Sequence, residues 1–245
     1  MRVAVHQPNF APWSGYFAKM FASDVFVFLD DVQMPGGSSF VNRVKIADGR
    51  SGARWLTVPV VKSISDSIRE VRLADPQFAT QHLSTLRHTY SRATNRDEVL
   101  DLLAPVYERV SGSLASFNID LIQTVARYLG WEGAFALSSD RPSGLKADWR
   151  LADLVCWVGG DVYVSGPGGD NYQSAQTYHE RGLALEVRTY NPIEYARSGW
   201  DWVPSLSCLD VLLHQGTAAR ETMRYLECGE EGVGYEAPQV PRDRP

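Results

Sequence analysis

The first residue that could do chemistry is His6, which directly follows the apolar start of the chain at residues 1–5. A histidine at the end of a buried strand lies at the carboxyl edge of the sheet, where open α/β proteins bind ligands. Because the pKa of histidine lies near neutrality, His6 could act as the general base for an amine nucleophile. The alternative is a structural histidine that caps the turn backbone.

The loop after His6 offers amide groups on a stiff backbone. Gln7 and Asn9 carry donors and acceptors that suit a carbonyl or a sugar hydroxyl. Pro8 and Pro12 fix φ and so restrict the loop. We predict that Gln7 and Asn9 bind substrate, with an ordinary turn role for Asn9 as the alternative.

The helix that follows adds candidates for anion binding and for stacking. Gly15 lets the backbone approach a ligand at the helix start, where free N–H groups and the dipole favour a phosphate or carboxylate. Lys19, one turn further on, could add a cation to the same pocket, and a solvated surface lysine is the alternative. Trp13 and Tyr16 could stack on a sugar or nucleobase, or they could belong to the core.

Polar side chains also follow the second predicted strand, at residues 23–29. Asp30, Asp31 and Gln33 would emerge at the same sheet edge as His6. Because side chains alternate along a strand, only one of the two adjacent carboxylates can face a common site. We predict that this carboxylate orients the histidine or holds a substrate ammonium, and that the other caps the loop.

Asn42 and Arg43 end a long Gly/Ser-rich loop, a kind of segment that is often functional. Arg43 could clamp a phosphate or carboxylate through two N–H groups. A structural salt bridge with Asp30 or Asp31 is equally compatible with the sequence.

A second glycine-rich loop follows a predicted strand at residues 161–164 and precedes a predicted helix. Its backbone N–H groups could hold an oxyanion or a phosphate, although the loop lacks the Gly-Lys-Ser/Thr ending of a Walker loop. The substrate-binding candidates in this loop are Ser165, Gly166, Gly168, Gly169, Asn171 and Tyr172.

The cysteines are widely spaced, so they predict neither a zinc site nor a disulfide framework. Cys156 lies in an apolar helix pattern and is expected to be a buried core thiol. If the chemistry of the site is covalent, Cys156 and Cys208 are the candidate nucleophiles, and each needs an adjacent base. We assign no metal ligands.

The elements that position these residues predict an α/β protein with a mostly parallel, Rossmann-like sheet. Apolar runs at 1–5 and 23–29 flank a helix pattern, which indicates a βαβ unit. Helical spacing dominates 76–130, and strands alternate with helices afterwards. We therefore divide the chain into four parts. Residues 1–75 and 131–228 form the two halves of an α/β domain, residues 76–130 form an inserted helical subdomain or lid, and residues 229–245 form a disordered tail.

Composition limits the class of partner. The chain has 245 residues with 24 Lys and Arg against 29 Asp and Glu, which argues against a dedicated DNA- or RNA-binding protein. It contains neither a signal peptide pattern nor a long apolar stretch, so we expect a cytoplasmic protein that does not bind membranes.

Several motifs, in order from Val5 to Gly216, resemble the WbqC-like proteins: HQPNFAPWSGYFAKM, SDVFVFLDDVQM, FVNRVKI, RWLTVPV, GGDVYVSGPGGDNY and VPSLSCLDVLLHQG. The resemblance implies a biosynthetic enzyme that transfers an acyl or aminoacyl group, such as glycyl, to an amine. The acceptor would be an amino sugar or a similar small molecule in O-antigen polysaccharide or natural-product biosynthesis. The motifs require no cofactor. The donor would be an adenylate made with ATP, a thioester on an acyl carrier protein, or an aminoacyl-tRNA.

A fainter resemblance is to pantothenate synthetase and related nucleotidyltransferases, and it implies the HUP-like form of the Rossmann-like sheet. PNFAPWSGYF takes the place of their first loop, but Trp13-Ser14-Gly15-Tyr16 replaces the His-x-Gly-His pair that grips the nucleotide. An ATP-dependent ligase of this type is one alternative function. A non-catalytic binding protein of a biosynthetic complex is another.

Overall fold

The computed structural model describes residues 1–37, 39–49, 51–110, 112–166 and 174–225. Within these ranges the chain forms a five-stranded parallel sheet flanked by helices. The predicted α/β, Rossmann-like class is therefore confirmed. None of the helices described there is long and apolar enough to cross a membrane. The predicted tail, 229–245, lies outside the described residues.

The central sheet contains β1 (Arg2–His6), β2 (Val25–Phe28), β7 (Ala134–Leu137), β8 (Val162–Ser165) and β9 (Ala184–Val187). Their order across the sheet is β7-β2-β1-β8-β9, and each neighbouring pair is parallel. After β1, the chain adds β2 and then β7 on one side of the sheet. It later adds β8 on the other side of β1, followed by β9. The strand order reverses between β1 and β8, and this is where open α/β sheets form a ligand crevice.

Smaller strands fill the connection between β2 and β7. An antiparallel hairpin pairs β3 (Arg43–Asp48) with β4 (Gly52–Thr57), and β5 (Val60–Val61) pairs with β6 (Arg72–Leu73). Apolar and polar residues alternate at 67–73, which predicts a half-buried strand. This prediction is only partly correct, because Ile68–Glu70 forms a 3-10 turn. The Glu70 carboxylate accepts hydrogen bonds from the backbone and hydroxyl of Ser67, and this local cap favours a turn over an extended strand.

Helices cover both faces of the sheet. The elements α1 and α5–α8 come from the α/β part, and α2–α4 lie between β6 and β7. Their bounds are α1 Ser14–Phe21, α2 Phe78–Thr89, α3 Arg96–Glu108, α4 Leu114–Tyr128, α5 Ala147–Trp157, α6 Ala175–Glu180, α7 Cys208–Gln215 and α8 Ala219–Thr222. A proline in a helical pattern predicts a kink or a break between helices. Pro105 nevertheless lies inside α3, which continues to Glu108.

The alternation of side chains along the strands builds two core layers. Ala4, Phe26 and Phe28 face a large cluster that contains residues of α1, α2–α4 and α7. Val3 and Val27 face a smaller cluster with α5 and α6. The three helices of the insertion therefore share a core with one face of the sheet.

Candidate functional site

The candidate site lies at the carboxyl ends of β1 and β8, beside the point where the strand order reverses. β1 ends at His6 and β8 ends at Ser165, and the two strands are hydrogen-bonded with Ala4 opposite Val164. Strand pairing thus places both ends on one sheet edge. This location agrees with the prediction from the sequence.

His6 is a neutral imidazole with a defined tautomer. Its Nδ1 atom lies 3.1 Å from the Gln7 carbonyl oxygen, and a carbonyl can only accept, so Nδ1 carries the hydrogen and Nε2 has a free lone pair. The ring packs against Tyr16 with centroids 4.7 Å apart. Burial, and secondarily the nearby Lys19 ammonium, lower the pKa of His6 to about 3. The imidazole is therefore an acceptor at neutral pH.

Three donors converge on the carbonyl that holds this tautomer. Besides His6, the Tyr16 hydroxyl donates to the Gln7 carbonyl at 3.1 Å and the Asn9 backbone N–H donates to it at 2.9 Å. These bonds fix the loop immediately after β1. The orienting group for His6 is thus a backbone carbonyl, where the sequence had suggested a carboxylate.

Lys19 is a buried cation that contacts no carboxylate. Its Nζ atom donates to the Val5 carbonyl oxygen at 2.8 Å and lies 5.5 Å from the centre of the Tyr163 ring. Among the described residues it forms no salt bridge, and burial lowers its pKa to about 8. The alternative of a solvated surface lysine is therefore wrong. An unpaired buried ammonium at a ligand crevice is suited to a phosphate or an oxyanion.

The start of α1 differs from the prediction in one respect. The indole of Trp13 lies over Gly15, and a Cβ atom built there would be only 2.4 Å from the ring. The space that we expected a ligand to use above Gly15 is filled by this side chain. Trp13 also contacts Tyr190 edge-on, with centroids 5.3 Å apart. Trp13 and Gly15 thus pack against each other at the start of α1.

Asp30 and Asp31 have other partners than the predicted one. The Asp30 carboxylate accepts hydrogen bonds from Ser138 and from the backbone and hydroxyl of Ser139, at 2.9–3.0 Å. Asp31 forms an ion pair with Arg150 at 2.7 Å. No described contact joins either carboxylate to His6, so the predicted orienting role is not supported by the geometry. These bonds instead fasten the end of β2 to the segment after β7.

Gln33 and Asn42 hold the backbone of the insertion. Gln33 donates to the Ile64 carbonyl at 2.7 Å, and Asn42 donates to the Val58 carbonyl at 3.2 Å. Arg43 does not form the predicted salt bridge with either aspartate; its guanidinium stacks on Trp55, 4.1 Å from the ring centre. These three candidates therefore lie on the β3–β5 region and its neighbouring loops.

The glycine-rich loop is described only at its start. The Ser165 hydroxyl lies 3.3 Å from the Gly166 carbonyl oxygen, and a Cβ atom at Gly166 would meet open space. The other candidates in this loop, Gly168, Gly169, Asn171 and Tyr172, lie outside the described residues.

The two candidate thiols lie in different surroundings. Cys156, predicted to be buried, is exposed on α5. Cys208 is fully buried, and burial raises the pKa of its thiol to about 12, so it stays protonated at neutral pH. Within the described ranges, no group of three or more His, Cys, Asp or Glu side chains could hold a metal ion.

Sequence reasoning missed a buried ionic cluster at α7. Arg197 and Asp210 form a fully buried ion pair at 2.9 Å, and the hydroxyls of Tyr90 and Tyr195 donate to the same carboxylate. His214, one turn along α7, has a pKa that burial lowers. An aspartate inside the apolar run CLDVLL was the available signal, because a buried carboxylate requires a partner.

Asn118 was also missed. It is fully buried, and its amide donates to the Pro8 carbonyl at 2.8 Å and to the Val41 carbonyl at 2.7 Å. It thereby ties the loop after His6 to the segment that precedes β3. A small, shallow pocket beside the start of α1 is lined by Ser14 and Tyr190 among others, but by neither His6 nor Lys19.

Comparison with known proteins places these features in a family. The model of the WbqC-like protein family matches residues 7–222. The chain is 32% identical over 228 residues to a protein of Mycobacterium tuberculosis (strain ATCC 25618 / H37Rv) described as "Uncharacterized protein Rv1507c", and the match covers 91% of this chain and 98% of that protein. No solved structure matches the chain significantly. Because the family model spans most of its sequence, the chain belongs to the WbqC-like protein family.

Proposed function

We propose that the protein is a biosynthetic transferase that moves an acyl or aminoacyl group, such as glycyl, to the amine of a small molecule such as an amino sugar. The observation that carries the proposal is that His6 and Lys19 both lie at the end of β1. One supplies a neutral acceptor nitrogen and the other supplies a buried cation without a counter-charge. Perturbed ionisable groups of this kind concentrate at functional sites.

The chemistry that this pair supports is amide formation from an activated donor. The amine nitrogen attacks the acyl carbon, and its proton passes to Nε2 of His6. The bond from the acyl carbon to the leaving group then breaks, and the protonated imidazole returns the proton to that group. Lys19 stabilises the negative charge that develops on the carbonyl oxygen or on a phosphate of the donor.

Donor binding would also strengthen the base. In the free protein the ammonium of Lys19 contributes to the low pKa of His6. An anionic group bound to Lys19 neutralises that contribution, so the pKa of His6 rises when the donor is in place. Proton transfer is thereby linked to occupancy of the site.

The test is the formation of an amide by wild type and variants. Purified protein is incubated with an amino sugar and, in parallel, with an aminoacyl adenylate, a carrier-protein thioester or an aminoacyl-tRNA, and the product is detected by mass spectrometry. We expect His6→Gln to lose about 10²-fold or more of the rate. His88→Gln is the matched control, since His88 is exposed on α2 and contacts Ser84 rather than the loop after His6. Full turnover by His6→Gln would contradict the catalytic assignment.

An ATP-dependent ligase is the second candidate, and Lys19 is the observation that favours it. A buried unpaired ammonium at the end of a parallel sheet is also suited to nucleotide phosphates. This candidate predicts that ATP, with or without magnesium, raises the melting temperature of wild type and that Lys19→Met abolishes the shift. An unchanged melting temperature would remove it.

A further inference from the structure

We propose that the outer face of the β3–β4 hairpin binds single-stranded RNA, such as the unpaired end of a charged tRNA. This inference deepens the proposed function, since it names aminoacyl-tRNA as the donor. It is carried by an exposed aromatic side chain flanked by cations, by the charge of the surrounding segment, and by a direct link to the loop after His6.

The hairpin presents one aromatic side chain between two cations. Trp55 is 42% exposed, with the Arg43 guanidinium 4.1 Å and the Lys45 ammonium 5.5 Å from its ring centre. Lys45 and Trp55 are paired across the strands, so both side chains point to the same face. Phe40 lies beside the indole, with centroids 6.0 Å apart. An open aromatic ring bordered by Arg and Lys is the arrangement on which bases stack while phosphates are neutralised.

The sequence segment that contains the hairpin is basic although the whole chain is acidic. Residues 40–92 contain nine Lys and Arg and four Asp and Glu, whereas the full chain has 24 and 29. None of the cations described within 40–92 takes part in a salt bridge. Cations outside salt bridges are more accessible to phosphates, and the balance of the whole chain conceals this local excess.

The hairpin is attached to the candidate site. The Phe10 backbone N–H donates to the Phe40 carbonyl at 3.1 Å, and Asn118 bridges the carbonyls of Pro8 and Val41. Phe10 is four residues beyond His6, so the two Cα atoms are at most about 14 Å apart. An RNA strand whose bases stack on Trp55 could therefore place its aminoacylated end near His6.

Single-stranded RNA fits this face better than an acidic carrier protein. A carrier protein would use the cations but has no need of an exposed indole beside a second aromatic ring. A nucleic acid strand uses both, because every base has a π-face and every phosphate a charge.

The test is fluorescence anisotropy with a short labelled single-stranded RNA that ends in CCA, at about 50 and 200 mM salt. We expect wild type to bind, Trp55→Ala to bind about tenfold more weakly, and Lys45→Ala to lower the salt dependence by about one phosphate contact. Trp149→Ala is the matched control, because Trp149 on α5 is 41% exposed and has the Arg181 guanidinium 5.5 Å from its ring centre. This control is expected to bind like wild type.

Three outcomes would overturn the proposal. The first is that wild type does not bind the RNA, and the second is that Trp55→Ala and Trp149→Ala lose equal affinity. The third is that the labelled RNA is displaced only by a carrier protein whose own binding requires Trp55. His6→Gln separates this proposal from the catalytic one. It should bind RNA like wild type while it loses turnover, so the binding and the chemistry can fail independently.

Discussion

The ionic cluster at α7 and the polar site at the end of β1 both bury charge, but only the cluster pairs it. Asp210 accepts from Nε and Nη2 of Arg197 and from two tyrosine hydroxyls. Lys19, by contrast, has a carbonyl oxygen and an aromatic ring as its partners, and His6 has a carbonyl. The first region satisfies its charges within the protein, whereas Lys19 forms no salt bridge with any described residue.

We interpret this difference as one between a structural role and the proposed binding role. Removing one partner from a buried pair leaves an uncompensated charge, so the cluster is required for the fold. Lys19 is a buried cation without a neighbouring carboxylate, so it already carries the cost of an uncompensated charge. A bound anion would reduce this cost. We therefore expect substitutions to have opposite effects on stability in the two regions.

The largest expected effect is in the paired region. Asp210→Asn removes the counter-charge of a fully buried Arg197, and we expect a loss of about 3–5 kcal/mol in the free energy of unfolding. Urea denaturation measures it. Asp97→Asn is the control, because Asp97 pairs with Arg96 at an exposed site and its loss should be barely measurable. Equal losses of unfolding free energy in the two variants would contradict the structural role of the buried pair.

The second effect concerns the unpaired region and has the opposite sign. Burial lowers the pKa of Lys19 from 10.5 to about 8, so the charged form costs about 3 kcal/mol in the folded protein at neutral pH. Lys19→Met should remove this penalty, less the lost bond to Val5. We expect the variant to be at least as stable as wild type at pH 7.

The pH dependence tests the same prediction independently. Below pH 8 both the folded and the unfolded wild type hold the proton on Lys19. Between about pH 8 and 10.5 the unfolded chain keeps a proton that the folded protein has released, so the stability of wild type rises relative to Lys19→Met. Lys146→Met, at an exposed lysine, is the control variant. A destabilised Lys19→Met at pH 7 with a flat difference above pH 8 would make Lys19 a structural residue.

The sequence predicts what depends on local pattern. The apolar runs that became β1 and β2 are continuous, and the position of His6 at a strand end follows from them. The strand at 162–165 was placed within one residue by the same reasoning. The parallel sheet and the location of the candidate site therefore follow from the sequence.

Long-range partners could not be predicted in this way. Asp31 pairs with Arg150, 119 residues away, and nothing in the spacing of either residue selects the other. Cys156 lies in an apolar helix but on its exposed side, because the buried side is set by where α5 packs against the sheet. Partner choice is thus a property of tertiary packing.

The smallest expected effect concerns the connection between the two regions. The Ser207 hydroxyl, at the start of α7, donates to the Ala11 carbonyl at 2.7 Å, so the paired region holds the loop that leads from His6 to α1. Gly15→Ala would place a Cβ atom 2.4 Å from the Trp13 indole, which lies in the same connection. We expect a loss of about 1 kcal/mol in the free energy of unfolding, because the tip of the indole can shift by part of that overlap.

A matched glycine and a second substitution make that last prediction specific. Gly144→Ala adds the same methyl group where no atom lies within 4 Å, so its stability should stay close to that of wild type. Trp13→Ala should cancel the additional cost of Gly15→Ala in the double variant, since the clashing ring is gone. If Gly15→Ala behaved like Gly144→Ala, the indole would not be confined, and the loop after His6 would be less firmly held by α7 than the contacts indicate.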